Sequence, residues 1–190
     1  MYILYKQLSN LNIKTYHNKI VAMDTIDKIN KLSRSEFVEI FANIFEKTKW
    51  IAEKLYNQKP FDSFVDLCSK MLGIFETASK ETQLKILKAH PDLADKVTVN
   101  SLTTNSRTEQ SNAGLDQCSE EEFNEFKDLN KSYKQKYGFP FVIAVKDKNI
   151  IEILSKFKKR NLNSVDDEFK EAIIQVGKIA NLRLNEINIK

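Results

Sequence analysis

The chain has few of the residues that build covalent or metal-linked frameworks. Of its 190 residues, only two are cysteines and two are histidines. Cys68 and Cys118 are too few for a disulfide framework, and they do not have the spacing of metal ligands. His17 and His90 lie far apart in different kinds of segment. We therefore expect a reduced, cytoplasmic protein without a metal site built on histidines.

Long apolar runs and concentrated charge are also lacking. No run approaches the roughly 20 apolar residues that cross a bilayer. The 30 Lys and Arg residues are spread evenly among 26 Asp and Glu residues, which leaves a net charge of +4. A nucleic-acid binder usually concentrates its cations on one face. Neither a membrane nor a nucleic acid is expected as a partner.

The N-terminal residues differ in composition from the rest. Lysines at positions 6, 14 and 19 precede the first acid, Asp24. The apolar residues are scattered, unlike the continuous core of a secretory signal. We expect residues 1–27 to form a flexible extension and residues 28–190 to form a single helical domain. An upstream start codon with Met23 as the true beginning and a lysine-rich transit peptide remain alternatives.

The pattern from residue 28 onward is helical. Ser33 and Glu36 form a capping box, in which each side chain binds a free backbone N–H of the other residue. Apolar residues then recur every three or four positions, which predicts a helix that runs to about Tyr56. Pro91 disfavours helical geometry in the residue before it, so a helix over residues 80–89 should end near His90.

The remaining helices follow from the same signals. Ser119 and Glu122 form a second capping box, and Gly138 should end the helix that they open. We expect a polar loop over residues 92–108 and one short extended or strand segment near residues 141–145. The fold class is all-α, a bundle of about seven or eight helices. The other predicted helices cover residues 61–78, 149–159 and 164–187.

His90 is the first candidate for a catalytic side chain. It lies in Ala-His-Pro-Asp-Leu-Ala, residues 89–94, where the proline fixes the backbone. A histidine at a helix end can simply interact favourably with the helix dipole. It is also the side chain whose proton moves near neutral pH, and a rigid backbone suits a catalytic imidazole.

A polar stretch over residues 105–116 is the second candidate. Ser106 or Thr108 is expected to cap a short helix, with Glu109 and Gln110 in its first turn. This is either a well-capped turn or a place where a carboxylate, an amide, a hydroxyl and backbone N–H groups bind a small polar heterocycle.

Two further features complete the candidate site. An extended segment among helices, at residues 141–145, leaves backbone polar groups that need partners, and a planar ligand with N–H and C=O groups would be one. Arg183 lies on the last predicted helix, where an arginine is usually a surface charge. If it points inward, it requires an anion.

Taken together and in this order, the segments resemble the 2-oxo-4-hydroxy-4-carboxy-5-ureidoimidazoline (OHCU) decarboxylases of urate breakdown. The resemblance spans about residues 31–187. Each motif alone is unspecific, but the ordered set is specific. It consists of Ala-His-Pro-Asp-Leu-Ala at 89–94, Ser106-x-x-Glu109-Gln110 with Ala113-Gly114-Leu115, Gly138-Phe139-Pro140-Phe141, and Ile179-Ala180-x-x-Arg183-Leu184.

The resemblance implies a cofactor-independent carboxy-lyase that converts OHCU to (S)-allantoin, and a homodimer. It implies His90, Glu109 and Arg183 as catalytic residues. The chain closes on Asn-Ile-Lys, not on the peroxisomal Ser-Lys-Leu of some eukaryotic members, so that route of targeting is not expected. The implied substrate-binding residues are Pro91, Ser106, Arg107, Thr108, Gln110, Phe139, Phe141, Val142, Ile143, Ala144 and Val145.

Two alternatives remain open from the sequence. One is a decarboxylase of a related ureido acid, and the other is a non-catalytic helical module whose grooves bind a partner helix. Such a module has no reason to bring His90, Glu109 and Arg183 to one cavity. Separations beyond about 10 Å would favour it, because no small substrate could then contact all three.

Overall fold

The computed structural model describes residues 25–94 and 102–187. All of its regular secondary structure is helical, and α1 covers residues 25–31. The other helices are α2 (Arg34–Phe41), α3 (Lys49–Tyr56), α4 (Phe64–Glu76), α5 (Lys80–Ala89), α6 (Thr104–Asn112), α7 (Glu120–Tyr137), α8 (Ile150–Arg160) and α9 (Val165–Asn185).

The predicted all-α class is confirmed, with nine helices in the described residues where seven or eight were expected. None of these helices is long and apolar enough to cross a membrane. Residues 1–24, the middle of the expected loop at 95–101 and the last three residues lie outside the described part. The division into an extension and a domain therefore stays a prediction.

Local capping signals fix most helix boundaries. Both predicted capping boxes are present, Ser33 with Glu36 and Ser119 with Glu122. Asn149 and Glu152 form a third, at the start of α8. Gly138 ends α7 in the left-handed conformation at φ 76°, which glycine adopts without steric cost.

The prediction of one continuous helix to Tyr56 is wrong. Helix α2 ends at Phe41, residues 42–48 form an irregular turn with Lys47 at φ 49°, and α3 begins at Lys49. The turn is stabilised from α9: the Arg183 Nη1 group donates to the carbonyl oxygens of Asn43 at 3.1 Å and Ile44 at 3.3 Å. A long-range contact thus overrides the local helical pattern.

The predicted cap of the polar helix is also wrong. Thr103, and not Ser106 or Thr108, is the N-cap of α6, and its side chain accepts the Ser106 N–H. Several Ser and Thr residues in this stretch are good caps, and the first of them prevails. The helix therefore includes residues 104–108, expected as loop, and Glu109 and Gln110 lie in its second turn.

The segment at residues 141–145 is buried and irregular, so the extended alternative is confirmed and the strand is not formed. Two side chains bind its backbone. The Gln175 Oε1 atom accepts the Ala144 N–H at 3.0 Å, and Arg160 Nη1 donates to the Val142 carbonyl at 2.8 Å. The N–H and C=O groups of Ile143 bind no described residue.

Helix α9 organises the interior. It packs against α4, α5 and α7. Its buried face includes Val176, Ile179, Ala180 and Leu184. Arg183 lies on the same face, so the packing of α9 buries the positively charged guanidinium group.

Candidate active site

Four separate segments meet at a small cavity: the end of α5, helix α6, the extended segment and helix α9. Its volume is about 30 Å³, enough for a water molecule and too small for a substituted heterocycle. The lining residues are His90, Pro91, Leu93, Ser106, Glu109, Gln110, Phe141, Val142, Ile143, Val145, Ile179 and Arg183.

His90 is held in one orientation. It caps α5 with extended backbone at ψ 143°, the geometry that the following proline favours. Its ring Nδ1 lies 2.9 Å from the Ile86 carbonyl oxygen. A carbonyl only accepts, so Nδ1 carries the proton and Nε2 has the free lone pair. Nε2 binds no described side chain or backbone group.

Burial lowers the pKa of His90. The hydrogen bond to the Ile86 carbonyl and the charge of Glu46 oppose this shift, and the charge of Arg183 adds to it. The lowered pKa favours the neutral imidazole, whose Nε2 atom is free to accept a proton.

Arg183 and Glu109 form a bidentate salt bridge. The Arg183 Nε atom lies 2.6 Å from Glu109 Oε1, and Nη2 lies 2.9 Å from Oε2. Burial by itself lowers the pKa of Arg183, but Glu109 and Glu46 outweigh it and raise the net value. The arginine side chain is 4% exposed, and that of Glu109 is 32% exposed. About a third of the Glu109 side chain therefore stays open to solvent.

Glu46 is a member of the site that the sequence analysis missed. Its Oε2 atom accepts from Thr103 Oγ1 at 3.1 Å, from Ser106 Oγ at 2.8 Å and from Arg183 Nη1 at 3.3 Å. It lies in the turn between α2 and α3, which was expected to be helical. The only signal in the sequence was an acid among the apolar residues Ile44 and Phe45.

Two of the predicted binding residues hold other parts of the site. Besides its bond to Glu46, the Ser106 hydroxyl accepts from Arg183 Nη2 at 3.2 Å. Gln110 accepts the Ala94 N–H at 3.1 Å and donates to the Asp92 carbonyl at 3.3 Å. Gln110 thereby fixes the turn that follows His90.

Four predicted residues do not line the small cavity. Phe139 lines an adjacent cavity of about 430 Å³ that His90 and Glu46 share. Thr108 and Ala144 line a cleft of about 670 Å³ on the other side of Glu109. Arg107 has an exposed side chain.

Phe141 forms an apolar wall of the small cavity. Its ring stacks on Phe157, with centroids 3.9 Å apart, and the Arg160 guanidinium lies 4.5 Å from its centroid. Within the described ranges, no three His, Cys, Asp or Glu side chains are grouped to hold a metal ion.

The arrangement places an imidazole, a carboxylate and free backbone groups around one volume. His90 Nε2 can accept a proton, the Glu109 oxygens can accept further hydrogen bonds, and the backbone of Ile143 offers one donor and one acceptor. A planar polar ring that carries an acidic proton fits this set.

Comparison with known proteins identifies the family. The family model described as OHCU decarboxylase matches residues 30–185. The chain belongs to the OHCU decarboxylase family. It is 40% identical over 162 residues to a 2-oxo-4-hydroxy-4-carboxy-5-ureidoimidazoline decarboxylase of Haloferax volcanii, with 85% of this chain and 95% of that one covered.

Other relatives and structures agree. The chain is 41% identical to a uric acid degradation bifunctional protein of a Bacillus species, over 87% of this chain and only 32% of that protein. A crystal structure of (S)-allantoin synthase superposes with a TM-score of 0.67 at 26% identity, covering 84% of this chain and 52% of that one. An OHCU decarboxylase structure at 23% identity and a TM-score of 0.61 supports the fold.

Proposed function

We propose that this chain is a carboxy-lyase that converts OHCU to (S)-allantoin and carbon dioxide in urate breakdown, without a cofactor. The observation that carries the proposal is the single cavity lined by His90, Glu109 and Arg183. Glu109 and Arg183 are in hydrogen-bond contact, and His90 lines the same volume. A helical interaction module gives no reason for this convergence.

The chemistry of the substrate makes a borrowed electron sink unnecessary. One ring carbon of OHCU carries both the carboxylate and the hydroxyl, and the adjacent ureido-bearing carbon is double-bonded to nitrogen. When the carbon–carboxylate bond breaks, its electron pair forms a double bond between the two ring carbons, and the C=N pair moves to nitrogen. The enzyme then needs to position the substrate and manage protons.

His90 is the proposed base for the substrate hydroxyl. Its Nδ1–H is held by Ile86, so Nε2 is the atom that takes the hydroxyl proton. The hydroxyl becomes the ring carbonyl of allantoin, and the ureido-bearing carbon gains a hydrogen. Each turnover exchanges a carboxylate for a C–H bond and consumes one proton from solvent. Delivery of hydrogen to one face of the ring would give one enantiomer.

Glu109 is proposed to accept hydrogen bonds from ring or ureido N–H groups. The two-point contact with Arg183 fixes the orientation of the carboxylate, and carboxylate oxygens can accept more than one hydrogen bond each. The five N–H groups of Arg183 all have partners among Glu109, Glu46, Ser106 and two carbonyls. We therefore assign Arg183 to positioning Glu109.

The remaining assignments rest on family resemblance. Backbone groups of residues 141–145 would hold the ring, with Phe141 and Pro91 as apolar walls that desolvate the carboxylate. A homodimer and a cytoplasmic location are proposed on the same ground.

The test is to form OHCU in place from urate with uricase and 5-hydroxyisourate hydrolase, and to follow circular dichroism after this protein is added. Fast appearance of optically active allantoin, absent without the protein, is the expected result. Racemic allantoin at the unassisted rate would contradict the proposal and point to a related ureido acid as substrate.

A further inference from the structure

Glu46 is a buried charge that the proposed reaction does not yet use. The residue is 1% exposed. Its Oε2 atom accepts hydrogen bonds from Thr103, Ser106 and Arg183, whereas Oε1 is buried and binds no described group. A buried acceptor without a donor is costly, and such an atom in a native protein calls for an explanation.

Glu46 shares a cavity with the proposed base. Glu46 and His90 both line the cavity of about 430 Å³ next to the small one. With neutral His90, the buried cluster has two carboxylates, Glu46 and Glu109, and one guanidinium, Arg183. One negative charge is in excess, and a proton on His90 cancels it.

Other charged groups around His90 are more exposed. Lys47, Lys88 and Lys134 have exposed side chains, and Lys134 is paired with Asp92 at 2.6 Å. Solvent screens exposed charges, so the buried charges dominate. The charged residues that line the two cavities with His90 are Glu46, Lys47, Lys88, Asp92, Glu109, Lys134 and Arg183.

The two buried neighbours act on His90 in opposite directions. Burial lowers the pKa of His90, Arg183 lowers it further, and Glu46 raises it. A buried imidazole beside an arginine alone would be a poor base, because its protonated form has neither water nor a counter-charge. Glu46 supplies that counter-charge.

We propose that Glu46 is a positioning residue that stabilises the proton taken by His90 from the substrate hydroxyl. The inference rests on the proposed function. The proton moves from the hydroxyl oxygen to Nε2, and Glu46 exchanges no proton. The proposal gives a role to a carboxylate whose Oε1 atom has no donor among the described residues.

The experiment is a titration of His90 by NMR in the free protein. Only two histidines are present, so a His17→Gln variant assigns the signals. We compare wild type with Glu46→Gln, which keeps the shape and removes the charge, and with Glu46→Asp, which keeps the charge on a shorter side chain. We expect the His90 pKa to fall by about one unit in E46Q and by less in E46D.

The pH profile of kcat/KM is the second measurement, and its His90-dependent limb should move by the same amount in E46Q. A lower His90 pKa in E46Q supports the inference even if wild type makes no allantoin, because the titration uses no substrate. An unchanged pKa in E46Q overturns it even if wild type is active. If E46Q does not fold, Glu46→Ala removes the same charge, and an unchanged His90 pKa in E46A overturns the inference equally.

Discussion

The two buried arginine–glutamate ion pairs of the described structure differ in how completely their hydrogen-bonding atoms are paired. Glu168 is fully buried and accepts from Arg160 Nε at 2.9 Å and Nη2, from the Tyr133 hydroxyl and from Asn163 Nδ2 at 2.7 Å. Both of its oxygens are bound. Burial and the Glu168 carboxylate together raise the pKa of Tyr133, so its hydroxyl stays a donor. The cluster fixes the Val142 carbonyl through Arg160.

In the Arg183 cluster, every N–H donor of the cation has an acceptor, but not every carboxylate oxygen has a donor among the described residues. All five N–H groups of Arg183 have partners, whereas Glu46 Oε1 has none among the described residues and Glu109 is one-third exposed. The first cluster binds the extended segment through the Val142 carbonyl, and the second includes two residues that line the small cavity, Glu109 and Arg183. We therefore expect the first cluster to matter mainly for stability and the second mainly for activity.

The largest expected effect is on the satisfied cluster. Glu168→Gln removes the charge that Arg160 needs and should lower the free energy of unfolding by about 3 kcal/mol, the scale for breaking a buried ion pair. Urea unfolding followed by circular dichroism measures it. Glu125→Gln is the matched control, because Glu125 forms an exposed salt bridge with Lys158 and should cost less than about 1 kcal/mol. Equal losses would contradict the comparison.

For His90→Asn we expect a loss of activity with little loss of stability. We expect kcat to fall by about a hundredfold, the scale for losing a positioned base, or about 2.7 kcal/mol in activation free energy. The midpoint of thermal unfolding should change little, because Asn retains a donor for the Ile86 carbonyl. Turnover near the wild-type rate in a folded H90N protein would remove His90 from the mechanism.

Glu109→Gln sharpens the comparison between the two glutamates. The variant keeps one acceptor oxygen for substrate and Arg183 but loses the charge, so kcat/KM should fall by about tenfold. Its stability loss should be about 1 kcal/mol, well below that of Glu168→Gln, because Arg183 keeps Glu46 as a partner. Steady-state kinetics measures the loss in kcat/KM, and urea unfolding of the same E109Q preparation measures the loss in stability. A stability loss as large as that of E168Q would make Glu109 structural.

Local signals in the sequence predicted most of the fold, because a capping box, a proline and a glycine act within a few residues. Ser119 with Glu122, Pro91 and Gly138 were enough to place α7 and the end of α5. Motif order placed His90, Glu109 and Arg183 at one site. Glu46 was not predicted, because its burial depends on Arg183, which lies 137 positions later and breaks the expected helix.

The smallest effect concerns pH and tests whether His90 is buried and neutral. The pKa of His90 is lowered in the folded protein, chiefly by burial, so the unfolded chain binds this proton more tightly. Stability from this residue is therefore fully present above the unfolded pKa of about 6.5 and is lost as pH falls toward the folded pKa.

The stability of wild type relative to H90N should then fall as pH falls from neutral, because only wild type loses this contribution. Urea unfolding at several pH values, reported as the difference between the two proteins, isolates it from the other titrating groups. A difference that does not change with pH would mean that His90 titrates alike in both states. The imidazole would then lack the desolvated setting that distinguishes the Arg183 cluster from an ordinary surface site.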